Sequence, residues 1–172
     1  MVSVRTLAAG EWKAWRRLRL QALADSPDSF RPTLDAERAT SDSEWQEIVA
    51  STAEHPRGNL WIAERAEEDV AMAFATIDED FTILRVGAMW VVPAVRRLGI
   101  GDALLAAAID WGKASGANRA ELWVTEANAP AVAFYDSHGF QPTPETDVLR
   151  EGSELIVRKL AKDLRASSPS VG

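Results

Sequence analysis

Apolar and polar positions alternate from Val2 to Leu7, the pattern of a short strand with one buried face. After Gly10 the period lengthens. Trp12, Trp15, Leu18, Arg19, Ala22 and Leu23 recur at helical spacing, so an amphipathic helix follows the strand. The stretch D-S-P-D-S-F-R-P from Asp25 is turn chemistry and ends that helix. A second helix is predicted beyond it, opened by S-D-S-E from Ser41 as a capping box. It carries Trp45, Ile48, Val49 and Thr52 on one face and stops at His55-Pro56. Three strands are expected next, Leu60–Ala66, Val70–Ile77 and Phe81–Val92, joined by the acidic connections E-E-D and D-E-D in an antiparallel meander.

Pro93 stops the third strand, and the helical period returns at Ile100, Ala103, Leu104, Ala107, Ala108 and Trp111 until Gly116 supplies a cap. A short apolar strand is expected at Leu122–Thr125. Pro130 suits the first turn of a further helix that runs to about Ser137, where Gly139 ends it. Ser153–Leu160 closes the pattern as a strand, paired in a hairpin with the residues before Arg150-Glu151-Gly152. Strands that first meander and then alternate with helices predict an α+β or mixed α/β class built around one sheet. There is no internal repeat and no linker composition, so the 172 residues are expected to form one domain over 1–161. Residues 162–172 are expected to be a disordered tail.

Composition narrows the chemistry. With 47% hydrophobic and 26% charged residues the chain as a whole is not disordered. Its net charge of −7 argues against a phosphate-backbone partner, so no nucleic acid is expected, and a cationic substrate is permitted. The absence of Cys excludes disulfides, thiolate nucleophiles and Cys-ligated zinc; with only His55 and His138 besides, no metal site is expected. No apolar stretch has the length of a signal or membrane segment, the longest charge-free run being Val86 to Val95, so a cytoplasmic protein without membrane association is expected.

The segment V-V-P-A-V-R-R-L-G-I-G-D from Val91 joins a strand end to a helix start through two arginines and two glycines. Unpaired N–H groups and the positive end of the helix dipole favour an anion there, and Gly99 and Gly101 let it approach the backbone. A bare G-x-G is equally a plain strand-to-helix turn; Arg96 and Arg97 tilt the reading toward phosphate. The Walker pattern G-x-x-x-x-G-K-[ST] is absent. The dinucleotide fingerprint fails as well, because Leu104 stands where a third small residue is needed.

These letters resemble the acyl-CoA N-acyltransferase (GNAT) superfamily. R-R-L-G-I-G from Arg96 is similar to its pyrophosphate loop [QR]-x-x-G-x-[GA], with Val91-Val92-Pro93 before it, and Leu122 to Phe140 is similar to its strand, Asn, helix, Tyr and Gly-Phe block. The resemblance spans roughly Val2 to Leu160 and implies a central, mostly antiparallel twisted sheet flanked by helices. It implies acetyl-CoA as acyl donor, Val91 and Val92 offering backbone groups to its acetyl and pantetheine arm, and Arg96, Arg97, Leu98, Gly99, Ile100, Gly101 and Asp102 holding its pyrophosphate. It implies that Asn128 bonds the pantetheine arm and that Tyr135, the one tyrosine, protonates the departing thiolate. A phenol near pKa 10 and a thiolate near 8.5 make that step uphill by about 2 kcal/mol.

A lysine-like amine is neutral only about once in 2,500 at pH 7, so a base is desirable. Some members carry a glutamate directly after the strand's Leu, where this chain has Trp123. Glu126, Glu121 and the turn Asp78, Glu79, Asp80 remain candidates, each also readable as a solvated charge. The acceptor pocket of the family brings in Asp25, Asp28, Phe30 and Trp90, with Trp45 nearby; Phe30 and Trp90 are the substrate-binding candidates, and aromatic faces with acids suit an amine. Trp12, Trp15, Trp61 and Trp111 are expected in the core, and His138 as a helix cap. The implied activity is direct N-acetylation in a ternary complex, since no Cys can hold an acyl group, with a small-molecule amine as acceptor. A protein N-terminus or lysine as acceptor, and a non-catalytic acyl-CoA-binding module, are the alternatives. The resemblance also allows a homodimer.

Overall fold

The computed structural model describes residues 1–165. Strand β1 (Val2–Thr6) leads into α1 (Trp12–Asp25), which buries Trp12, Trp15, Leu18, Ala22 and Leu23 on one face. A five-residue helix α2 (Leu34–Arg38), capped by Thr33, lies in the connection to α3 (Asp42–Ala53). α3 opens on the expected capping box: the Ser41 side chain accepts from the Glu44 N–H while the Glu44 carboxylate accepts from the Ser41 N–H. The meander follows as β2 (Gly58–Arg65), β3 (Glu68–Ile77) and β4 (Ile83–Val91). Then come α4 (Ile100–Ala114), β5 (Arg119–Thr125), α5 (Ala129–Ser137) and the closing hairpin β6 (Gln141–Val148) and β7 (Ile156–Asp163).

One seven-stranded sheet forms in the order β1-β2-β3-β4-β5-β7-β6. Every neighbouring pair is antiparallel except β4 with β5, which is parallel as a strand–helix–strand crossover requires. That parallel pair is short: only Ile83–Arg85 meets Arg119–Glu121. Beyond it the two strands diverge, and a bulge in β4 adds to the divergence. Met72 pairs with Trp90 and Phe74 with Gly87, so two β4 residues stand opposite Ala73, with Ala88 at φ +50°.

Each face of the sheet is covered. On one, α1 and α3 close a core of Trp12, Trp15, Leu18, Trp45, Val49, Leu60, Ile62, Met72 and Trp90. On the other, α4 and α5 lie over Trp61, the alanines of β3, Leu84, Leu122 and Leu160. Trp111 packs edge-on against Trp61, with ring centroids 5.6 Å apart. Residues 162–164, expected in the tail, belong to this structure: β7 runs to Asp163, and buried Leu164 donates its N–H to Asn118. The rest of the expected tail, residues 166–172, lies outside the described residues.

Candidate active site

The open end of the β4–β5 divergence is roofed by the first turn of α4. Gly99 caps that helix at φ +76°, a conformation that costs other residues about 1–2 kcal/mol, and Arg97 before it sits at φ +63°. Val95 and Arg96 still donate to Val92 and Pro93, and Ala103 begins the helical ladder on Gly99, but no N–H from Arg97 to Asp102 meets a protein acceptor among the described residues. A row of unpartnered donors at the positive end of a helix is an anion cradle. The Arg97 side chain is exposed beside it and forms no ion pair among the described residues, while Leu98 is an exposed apolar neighbour.

Arg96 is committed within the protein. Its Nε donates to the Val91 carbonyl at 2.9 Å and its NH2 to Asp25 Oδ2 at 2.5 Å. The same carboxylate oxygen accepts from Trp90 Nε1 at 3.0 Å and Ser26 Oγ at 2.7 Å. Burial raises the Asp25 carboxyl, but the hydrogen bonds from Ser26, Trp90 and Arg96 outweigh it and hold it below the usual carboxylate range. Arg96 and Asp25 therefore tie the end of α1 to the cradle loop. Val91 and Val92 are also partly committed, Val91 through its carbonyl to Arg96 and Val92 through its N–H to Val70.

Tyr135 sits on α5, facing the α4 side of the sheet beside Phe134 and Phe140. Burial alone pushes its phenol up to about 12. Asn128 is the N-cap of α5: its side-chain oxygen accepts from the Ala131 N–H at 3.2 Å, and its amide donates to Ser29 Oγ at 3.1 Å. His138 caps the other end, with Nδ1 2.8 Å from the Phe134 carbonyl. Its Nε2 reaches Asp102 Oδ1 on α4 at 3.0 Å, a link that no local sequence spacing signals.

The segment Asp25–Phe30 straps the open end of the divergence. Besides the contacts at Asp25 and Ser29, the Asp28 carbonyl accepts from buried Thr125 at 2.6 Å and the Phe30 carbonyl from Arg150 at 2.7 Å. Phe30 and Trp90, the substrate-binding candidates, lie in the core under α1, 8% and 7% exposed, and the Arg19 guanidinium covers the Phe30 ring at 4.9 Å. Apolar area decided this: both rings complete the core under α1. Trp45 is likewise buried in that core. The exposed aromatic at this end of the sheet is Trp123, 41% exposed, with the Arg31 and Lys159 cations 5.6 and 5.3 Å from its ring.

None of the candidate bases is a free carboxylate at the cradle. Glu121 is buried, bonded by Arg119 at 2.8 Å with Lys159 3.6 Å away, so it is not a solvated charge. Glu126 is held by Arg158 at 2.6 Å. Asp78 accepts from the N–H groups of Thr82 and Ile83, and its turn, with Glu79 and Asp80, precedes β4. The nine residues of β4, at roughly 3.3 Å each, carry the chain far from that turn before it reaches the cradle.

Architecture of this kind is shared with acetyltransferases of known structure. A GNAT-family acetyltransferase from Streptococcus pneumoniae superimposes with a TM-score of 0.80, covering 95% of this chain and 99% of that one at 19% identity. The PaiA N-acetyltransferase from Thermoplasma acidophilum, solved in complex with coenzyme A, gives a TM-score of 0.73 over 95% of this chain and 99% of its own at 15% identity. The domain thus has a mixed α/β fold that these acetyltransferases also have. The sequence profile of the acetyltransferase (GNAT) family matches residues 15–140, and the chain belongs to that family. Among curated proteins, a mycothiol acetyltransferase from Thermomonospora curvata is 29% identical over 143 residues, 81% of this chain and 44% of the relative. The chain thus spans less than half the length of that relative. Among the described residues no helix is long and apolar enough to cross a membrane.

Proposed function

We propose that this domain transfers the acetyl group of acetyl-CoA to a small-molecule amine by direct attack in a ternary complex. The observation that carries the reading is the row of unpartnered N–H groups from Arg97 to Asp102 at the mouth of the β4–β5 divergence. A diphosphate needs converging donors and positive potential, and this loop offers both without a competing carboxylate partner at Arg97. Bound there, acetyl-CoA supplies an acetyl thioester whose thiolate is the leaving group. The cradle N–H groups and Arg97 hold the diphosphate, and the diverging strand edges leave backbone groups for the pantetheine arm. A small molecule rather than a protein as acceptor is supported by the name of the relative, a mycothiol acetyltransferase.

Tyr135 donates a hydrogen bond to the departing sulfur. With its phenol near 12, complete proton transfer to a thiolate near 8.5 is uphill by about 5 kcal/mol, more than the ordinary values imply. The phenol therefore acts as a donor that stays protonated. With Glu121 and Glu126 in ion pairs and Asp78 fixed in its turn, the amine enters neutral or loses its proton to water. The rate then rises with pH through the pKa of the acceptor itself.

The test is titration of the purified protein with acetyl-CoA and, separately, NAD, followed by an amine panel read by thiol release. Heat with acetyl-CoA alone and turnover with an amine support the reading. Tyr135→Phe is then expected to lower turnover by about 10²-fold while leaving coenzyme A affinity in place. Binding without turnover by any amine would favour an acyl-CoA-binding module, and silence with acetyl-CoA would overturn the donor.

A further inference from the structure

The helix that carries the only tyrosine is weakly embedded: no residue of α5 is fully buried, whereas α4 buries Ile100, Leu104, Leu105, Ala108, Ile109 and Gly112. What fixes α5 is a set of side-chain links at its ends. At the C-terminal end they converge on His138, whose side chain is 25% exposed. Nδ1 faces the Phe134 carbonyl one turn back at 2.8 Å, and Nε2 faces Asp102 Oδ1 in the first turn of α4 at 3.0 Å. The ring also lies against Phe134, centroids 4.4 Å apart, and the Phe134 ring in turn stands 3.4 Å from where a Cβ on Gly101 would lie, in van der Waals contact with the first turn of α4. A simple cap needs only the first of these bonds. The second crosses to another helix and ends within the anion cradle.

We propose that His138, with both ring nitrogens protonated so that one N–H donates to the Phe134 carbonyl and the other to the Asp102 carboxylate, is a positioning residue for Tyr135: it sets α5 against the first turn of α4, and so sets the phenol relative to the cradle donors. This inference rests on the acetyl-transfer reading only for its kinetic readout.

The experiment uses the single tyrosine. Protein labelled with ¹³C at the tyrosine ζ-carbon gives one signal, whose chemical shift is read at about pH 5, where an ordinary imidazole carries both N–H donors. In His138→Ala the signal should move as α5 loses its register. Two amides dissect the link. His138→Asn keeps a donor for Phe134 but does not reach Asp102, so it should behave like Ala; His138→Gln reaches Asp102 and should restore the signal position. If His138→Ala does not fold, His138→Asn carries the same test.

With an amine that turns over, His138→Ala is expected to lower kcat by about tenfold with little change in KM for acetyl-CoA, and to cost nothing further in a Tyr135→Phe background. An unmoved signal, or losses that multiply in the double variant, overturns the positioning role. A moved signal in a protein whose wild type acetylates no amine leaves that role standing and overturns the acetyl-transfer reading instead.

Discussion

α4 and α5 lie on the same face of the sheet and flank the same site, yet they are held by different physics. α4 is embedded through apolar contacts along its whole length; α5 touches the core with partly buried Ala131, Val132, Phe134 and Tyr135 and is otherwise fixed by polar links at its ends. The anion cradle is built on the first helix and the phenol on the second. Backbone donors that must be in place before a charged ligand arrives gain from a rigid base, because they then need no rearrangement on binding. In the proposed reaction the phenol that bonds the departing thiolate depends on those polar ties for its position.

The largest test of this contrast is a pair of core truncations. Leu104→Ala in α4 removes a side chain that is 0% exposed and is expected to cost about 3 kcal/mol in urea unfolding. Val132→Ala in α5, at a partly buried position, should cost less than about 1 kcal/mol. Equal costs would break the distinction. Next comes alkaline pH. A phenol held neutral by burial contributes stability that is fully present below the ordinary pKa of about 10 and is lost as pH rises through about 12, a change on the order of 2 kcal/mol. Tyr135→Phe should flatten this limb. If the wild type shows no limb although the phenol ionises, α5 opens without the rest of the fold, which sharpens the contrast.

Gly112→Ala is the smaller test on α4. A Cβ there would stand 2.7 Å from a methyl of buried Leu84, and the resulting overpacking of about 1–3 kcal/mol exceeds the gain of about 1 kcal/mol from replacing glycine in a helix. A net loss of about 1 kcal/mol should lower the melting temperature by about 2–4 °C. A stabilised variant would show that the α4–β4 contact is looser than the apolar core implies.

The same division governs what could be read from the letters. α4, the meander and the Ser41 capping box are legible because each rests on local periodicity or a local pair. α2 is too short at Leu34–Arg38 to show a period, and β6, expected only as the hairpin partner before Arg150, reads Q-P-T-P-E-T-D-V, so that its bounds come from its pairing with β7. At the site, the glycines and arginines of the cradle loop are visible in sequence, as is Tyr135 once the family resemblance is granted. The partners are not. Nothing near Arg96 announces Asp25, 71 positions away, and nothing near Asp102 announces His138. Phe30 and Trp90 were legible as aromatics in an acceptor region but not as core, because burial depends on how α1 lies over the sheet. Glu121 shows the converse: a charged letter in an apolar strand reads as surface until Arg119 and Lys159 are seen around it.

Asn128 offers the finest discrimination, since one amide serves two ends of the argument. Its oxygen caps α5 and its nitrogen bonds Ser29 in the strap. Asn128→Ala removes both and is expected to cost about 1 kcal/mol, most of it the lost cap. Asn128→Asp keeps the acceptor, adds a negative charge at a helix N-terminus, and can accept from the Ser29 hydroxyl where the amide donated to it. Its stability should stay within about 0.5 kcal/mol of the wild type. Coenzyme A affinity then separates the roles. If the amide nitrogen also serves the pantetheine arm, Asp should weaken binding about as much as Ala does, despite its intact cap. If Asp binds coenzyme A like the wild type while Ala does not, Asn128 acts only by holding α5 in place, and the polar ties of that helix, rather than any direct contact, are what the cofactor senses.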